Sequence, residues 1–146
     1  MRKMPLSLAL LLAACGSPPP QRRWLDRTGH AVRAANEDPT HGIRGHFVLM
    51  VRSIGQRHDL GYLNSETDYR HQTNLTIAMK TATMRQVAKR LGVEPGQLRG
   101  RRLVVLGQAQ RMRIAFIDGQ GRPTGKYYCQ THVRVEHPTL VEFAPD

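Results

Sequence analysis

The chain has 146 residues, with 22 Lys and Arg against 11 Asp and Glu, a formal net charge of +11 and a mean hydropathy of −0.46. That length suits one domain around one core, and two cysteines would ordinarily suggest one disulfide in an exported protein. The basic balance favours polyanionic partners such as nucleic acid, anionic headgroups, lipopolysaccharide or acidic glycans; solubility and an arginine-rich genome would produce the same excess, since Arg far outnumbers Lys.

The N-terminus carries the sharpest signal. Arg2 and Lys3 precede a short apolar run from Leu6 to Leu12, which Ala13, Ala14 and Cys15 close. The run is shorter than the roughly 20 residues a membrane span needs and fits the central part of an export signal. Leu12-Ala13-Ala14-Cys15 resembles the bacterial lipobox. The resemblance implies cleavage before Cys15, acylation of its thiol, and a membrane-anchored lipoprotein facing the periplasm. Gly16 follows the cysteine, where Asp would signal inner-membrane retention, so the resemblance favours the outer membrane over the inner. Stable anchoring takes more than one acyl chain, which lipoproteins of this kind carry. Residues 1–14 are thus read as signal peptide, and losing Arg2 and Lys3 lowers the net charge from +11 to +9. With Cys15 taken by lipid, Cys129 has no partner and reads as a small buried apolar residue.

Residues 15–41 read as the lipidated N-terminus and a flexible linker: Ser17-Pro18-Pro19-Pro20 is a stiff spacer, and Trp24 to Thr40 is polar and weakly patterned. Residues 42–143 read as the folded domain. Phe47, Leu49 and Val51 alternate with His46, Val48, Met50 and Arg52, the period of a strand. Gly55-Gln56-Arg57 reads as a turn, His58 to Asn64 as a second strand, and Ser65 to Arg70 as a polar loop. Leu75, Ile77 and Met79 mark a third strand. Thr83 then reads as the cap of a helix with Met84, Val87, Ala88 and Leu91 on one side, ended by Gly92 and Pro95-Gly96. Leu103 to Phe116 is a long fourth strand, Asp118-Gly119-Gln120-Gly121 a turn, and 127–135 a fifth strand. There Tyr127, Cys129, Thr131, Val133 and Val135 share the core face, opposite Tyr128, Gln130, His132 and Arg134.

Three strands, one helix and two long strands make a mainly β domain. The order resembles the five-stranded OB-fold barrel, with its helix between strands three and four. Gly45, Tyr62-Leu63-Asn64, Leu75-Thr76-Ile77, the stretch Leu98-Arg99-Gly100-Arg101-Arg102-Leu103-Val104-Val105-Leu106-Gly107, and His137-Pro138-Thr139-Leu140-Val141-Glu142 look like the wording of small bacterial nucleic-acid-binding OB modules, the nuclease-like ones included. A shorter echo, Val87 to Leu98, resembles the peptidoglycan-binding LysM repeat, although that unit lacks the surrounding strands.

Candidate ligand-binding residues follow from the alternation. Lys80, Arg111, Arg113, Tyr128, His132 and Arg134, with Thr76, are read as pointing outward from strands three to five, where OB modules stack bases within a basic groove. Glu66, Asp68 and Arg70 crowd one loop. As carboxylates beside an arginine they would suit a divalent-metal phosphodiesterase, but strand three lacks the acidic positions the family's catalysis needs. The loop is therefore read as a turn fixed by Asn64, Ser65 and Asp68. No His or Cys spacing matches a zinc motif, and no metal or small-molecule cofactor is expected. The function expected is a non-catalytic, exported OB-fold lipoprotein presenting a basic face to a polyanion, nucleic acid among them, or to an envelope protein. The alternatives are a nuclease-like enzyme and a structural lipoprotein contacting protein or peptidoglycan. Replacing Cys15→Ser is expected to abolish acylation and shift the protein from the detergent to the aqueous phase on partitioning; an unchanged distribution would count against the anchor.

Overall fold

The computed structural model describes residues 24–25 and 28–145. The lipobox and Cys15 lie outside them. The elements in chain order are β1 (Trp24–Leu25), α1 (Thr28–Glu37), β2 (Ile43–Met50), β3 (Ser53–Arg57), β4 (Leu60–Asn64), β5 (Leu75–Lys80), α2 (Thr81–Arg90), β6 (Arg102–Ile117), β7 (Pro123–Val135) and β8 (Val141–Phe143). Single 3₁₀ turns at Pro95–Leu98 and Pro138–Leu140 complete it.

All eight strands belong to one mixed sheet ordered β1-β2-β6-β7-β5-β4-β3, with β8 on the free side of β6. β2 runs antiparallel to β6 from Ile43↔Ala109 to Met50↔Arg102. β6 and β7 form a long antiparallel pair, and β7 lies parallel to β5. β5, β4 and β3 are an antiparallel meander. Only Val51 and Arg52 separate β2 from β3. The Val51 amide donates to the Arg101 carbonyl (2.9 Å) and the Arg52 amide to the Asn64 carbonyl (2.8 Å). One bent stretch of chain therefore pairs with β6 on one side of the bend and with β4 on the other, joining the two ends of the sheet.

The sheet wraps a core of Phe47, Leu49, Val51, Leu63, Leu75, Ile77, Met79, Leu103, Val105, Ala109, Val133 and Val135. These side chains follow the period of two expected for half-buried strands. α2 adds Met84, Val87 and Ala88, and the following 3₁₀ turn adds Leu98. The turn is held by a capping box, in which the Glu94 amide donates to Gln97 Oε1 at 2.8 Å. α2 begins at Thr81, two residues before the expected cap. Lys80 is the N-cap residue and provides no side-chain bond, whereas the Thr81 amide donates to the Asp59 carbonyl (2.6 Å). Thr83 is instead buried inside the helix. Lys89 and Arg90 complement its C-terminal dipole, and Gly92, at φ +73°, ends it.

Three expectations are corrected. The five strands and single helix expected are eight strands and two α-helices among the described residues. The expected turn at Gly55-Gln56-Arg57 belongs to β3, and the chain reverses at His58-Asp59, with His58 at φ 55°. The linker expected over residues 15–41 contains α1, which packs against β2, β5 and β6. Its buried side chains are Ala31, Val32 and Ala35. The i, i+1, i+4 spacing places all three on one narrow face. Two of them are alanines, and no larger apolar residue than Val32 marks the face. Beyond α1, Gly42 takes φ +67°, and its amide donates to the Asp38 carbonyl (2.8 Å). A Cβ there would sit 2.4 Å from the Ala109 carbonyl oxygen. Only glycine permits this close return of the chain onto β6.

Ala35 is fully buried, so Ala35→Glu is expected to lower stability by more than about 3 kcal/mol through an unpaired buried charge. Urea unfolding would measure it, and an unchanged midpoint would return α1 to the status of a leader.

Candidate functional site

β6 and β7 are longer than the sheet that shelters them. β2 covers β6 only to Ala109, and β5 covers β7 only from Thr131. The residues beyond emerge from the core while keeping their alternation. Registered partners in an antiparallel pair share a face, and Arg111 lies opposite Thr131 and Arg113 opposite Cys129. Arg111 and Arg113 therefore share the face of Tyr127, Cys129 and Thr131, not that of Tyr128, His132 and Arg134. This corrects the expected outward set. The continuous apolar run Leu103 to Leu106 hides the phase of the strand, and the core residues Val105 and Ala109 fix it. Tyr127, expected in the core, keeps the core-side phase but lies past the end of the core and is 50% exposed. The Arg113 guanidinium stacks 3.5 Å from its ring centroid, a cation–π contact.

A loop from Ser65 to Asn74 closes over this region, held by a buried polar network. Asn74 Nδ2 donates to Thr76 Oγ1 (2.9 Å) and to the Tyr69 carbonyl (3.1 Å). Asn74 Oδ1 accepts from the Glu66 amide (3.1 Å). Thr76 Oγ1 donates to Asn64 Oδ1 (2.9 Å), and the Leu75 amide donates to Ser65 Oγ (2.8 Å). Thr76, expected to point outward, is buried here; its hydroxyl can lie inside because it is fully bonded. Asp68 Oδ1 accepts from the Arg70 amide (2.9 Å), and Glu66 Oε1 from Thr73 (3.3 Å). The loop's carboxylates thus serve its own turn. Among the described residues no three His, Cys, Asp or Glu side chains gather as a metal site would require.

Gln130 locks the loop to the sheet, donating through Nε2 to the Tyr69 carbonyl (2.8 Å). This bond places Arg70 above β7, with its guanidinium 4.7 Å from the centroid of the Tyr69 ring. Between the loop, α1 and the two long strands runs a groove of about 480 Å³. Its lining includes Asn36 of α1, Arg70 and Gln72 of the loop, Arg111 of β6, and Tyr127 and Tyr128 of β7. None of the lining residues is acidic, and neither arginine forms an ion pair with another described residue. Cys129, expected to be buried, is half-buried in the groove wall. Burial, and after it the nearby Tyr69 hydroxyl, raise the Tyr128 phenol above its usual range, against the opposing pull of Arg70.

Of the six expected ligand residues, Arg111 and Tyr128 line the groove, and Arg113 lies beside it on the Arg111 face. Lys80 is exposed at the start of α2, and Arg134 is exposed on β7 opposite Ala78; neither lines the groove. His132 packs against Tyr62, their ring centroids 6.4 Å apart, and its Nε2 lies 2.7 Å from Gln130 Oε1. Burial first and the charge of Arg134 second push its pKa down to about 4, so at neutral pH it is an uncharged packing residue. Sequence reasoning missed Asn36, Gln72 and Tyr127 as groove residues and placed Arg70 in a different role.

No protein-family model matches the sequence, and no curated protein matches it. Among solved structures, the chain is similar to one provisionally assigned as an aspartyl-tRNA synthetase from Leishmania major Friedlin, at 6% identity and a TM-score of 0.45. The similarity covers 92% of this chain and 22% of that one. The chain spans under a quarter of that protein's length, and so loose a match carries no argument.

The depressed His132 pKa has a definite sign. Between about pH 6.5 and pH 4 the unfolded chain takes up a proton at this side chain that the folded chain refuses. Stability is therefore complete above about 6.5, falls as the pH drops toward 4, and loses at most about 3 kcal/mol from this group. His132→Gln is expected to flatten that part of the stability curve in urea titrations at successive pH values; an equal slope in wild type and variant would contradict the assignment.

Proposed function

We propose that this protein is an exported, membrane-anchored lipoprotein whose domain is a non-catalytic OB-fold module, and that the groove beneath Arg70 and Arg111 receives a phosphate-rich polyanion. The OB-fold reading treats β2 and β3 as one bent first strand. β4 and β5 then complete a three-stranded meander, α2 follows, and β6 and β7 close the order. The parallel β5–β7 pair and the antiparallel β2–β6 pair support it. Fold alone does not supply a function; the groove does.

The observation that carries the proposal is two arginines from different elements facing one groove whose lining has no carboxylate. Arginine offers a planar fork of donors suited to phosphate oxygens. Tyr127 and Tyr128 add ring faces on which a flat group can stack. The carboxylates a phosphodiesterase would use are engaged in the loop's own turn, which favours binding over cleavage. Anchoring rests on the lipobox resemblance at Cys15, and the outer-membrane preference on Gly16.

Immobilised single-stranded DNA serves as the test polyanion. Retention is expected at low salt and should fall steeply as salt rises, because phosphate contacts release counterions. Arg70→Ala and Arg111→Ala should each weaken retention and each reduce the log–log salt slope by about 1. Retention equal to wild type in the double variant, or none at low salt in the wild type, would defeat the groove assignment.

A further inference from the structure

Beyond the groove the chain builds a second surface. From Gln110 to Gln130, β6 and β7 continue as a two-stranded ribbon with no third strand beside it among the described residues. The ribbon ends in a turn tied by Asp118, whose Oδ1 accepts from the Gln120 and Arg122 amides at 2.9 Å each. An extended ribbon with both edges open usually invites pairing with another strand. This one resists it. The register shifts between Ala115 and Ile117, Pro123 starts β7, and cationic side chains run along both strands. Such features discourage edge pairing and argue against a second copy of the chain as the occupant.

The side chains near the tip are unusual for a solvated ribbon. Phe116 is 40% and Ile117 48% exposed. Phe116 packs at a tilt against Tyr128 with centroids 5.1 Å apart, and Arg113 covers Tyr127 on the other face. Around them stand Arg111, Arg113, Arg122 and Lys126, against a single acidic residue, Asp118, already paired with Arg122 at 3.1 Å. Apolar and aromatic side chains at an exposed tip, ringed by long cationic ones, suit the boundary between lipid headgroups and acyl chains. Aromatic rings settle at that depth, arginine and lysine stems reach back to phosphates, and anionic lipid holds the charges. A nucleic acid would use the cations and could stack on Phe116, but would leave Ile117 without a role.

We propose that the tip of the β6–β7 ribbon is an interfacial docking element that inserts Phe116 and Ile117 into an anionic bilayer, with Arg113, Arg122 and Lys126 at the headgroup level. The lipid-anchored reading supplies the nearby bilayer, and the test is built to be independent of it. Full-length Cys15→Ser protein, which cannot be acylated at that position, is floated with phosphatidylcholine vesicles with or without phosphatidylglycerol. The expected result is binding to the phosphatidylglycerol vesicles that weakens roughly tenfold or more in the Phe116→Ser/Ile117→Ser variant and in Arg113→Glu/Lys126→Glu. Both pairs are exposed, and matching thermal unfolding curves confirm that the variants fold. Retention of Phe116→Ser/Ile117→Ser on single-stranded DNA should equal wild type. Vesicle binding that is absent, independent of phosphatidylglycerol, or unchanged in the tip variants overturns the proposal. So does a parallel loss of DNA retention, which would make the ribbon part of the groove. If Cys15 carries no lipid in cells, the anchor reading fails while this result stands.

Discussion

The bend at Val51 and Arg52 is the constraint on which the rest of this structure depends. A single strand cannot pair with both β6 and β4 unless it turns sharply between them. The turn is held by two backbone bonds to opposite sides of the sheet, from Val51 to Arg101 and from Arg52 to Asn64. The Gly100 amide returns a third to the Val51 carbonyl at 2.8 Å. Val51 itself is fully buried. Curling the sheet this far brings β5 beside β7, encloses the core, and leaves β6 and β7 too long for the space they enclose. The groove and the ribbon are both consequences of that excess length.

The groove also depends on a polar device. The Asn74 side chain meets five partners: the Ser65 hydroxyl and Glu66 amide at Oδ1, and the Tyr69 carbonyl, Thr76 and Asn64 at Nδ2. Buried polar groups are costly when unpaired and rigidifying when fully paired. Here they turn a ten-residue polar loop, Ser65 to Asn74, into a fixed roof. Tyr69 is the hinge of the arrangement, since its carbonyl accepts from both Asn74 and Gln130. The arginine that follows it is held over β7, its amide bonded to Asp68 and its guanidinium beside the Tyr69 ring.

Much of the sheet could be read from residue alternation. Phe47 and Leu49, Leu75 and Ile77, and Val133 and Val135 lie inside as their spacing indicates, and α2 buries the face named by Met84, Val87 and Ala88. Three things resisted. α1 is amphipathic, but its buried face is two alanines and a valine with no larger apolar residue, so it reads as a linker. The phase of β6 is masked where Leu103 to Leu106 is apolar throughout, with Val104 buried on one face and Leu103 and Val105 on the other. Alternation also does not say where a strand outruns its neighbours, and this sent Tyr127 to the core on paper and to the surface in the fold. The site was legible only in parts, because Arg70, Arg111 and Tyr128 lie far apart in sequence and meet through the loop network.

The manner of α1's attachment bears on how the groove behaves over time. Val32 and Asn36 form one of its walls, and among the described side chains the helix buries only those of Ala31, Val32 and Ala35. With only small side chains buried, its backbone amides should trade hydrogen for deuterium sooner than those of β6 or β7. A guest too bulky for the cleft would therefore be expected to displace this helix rather than the paired strands opposite it.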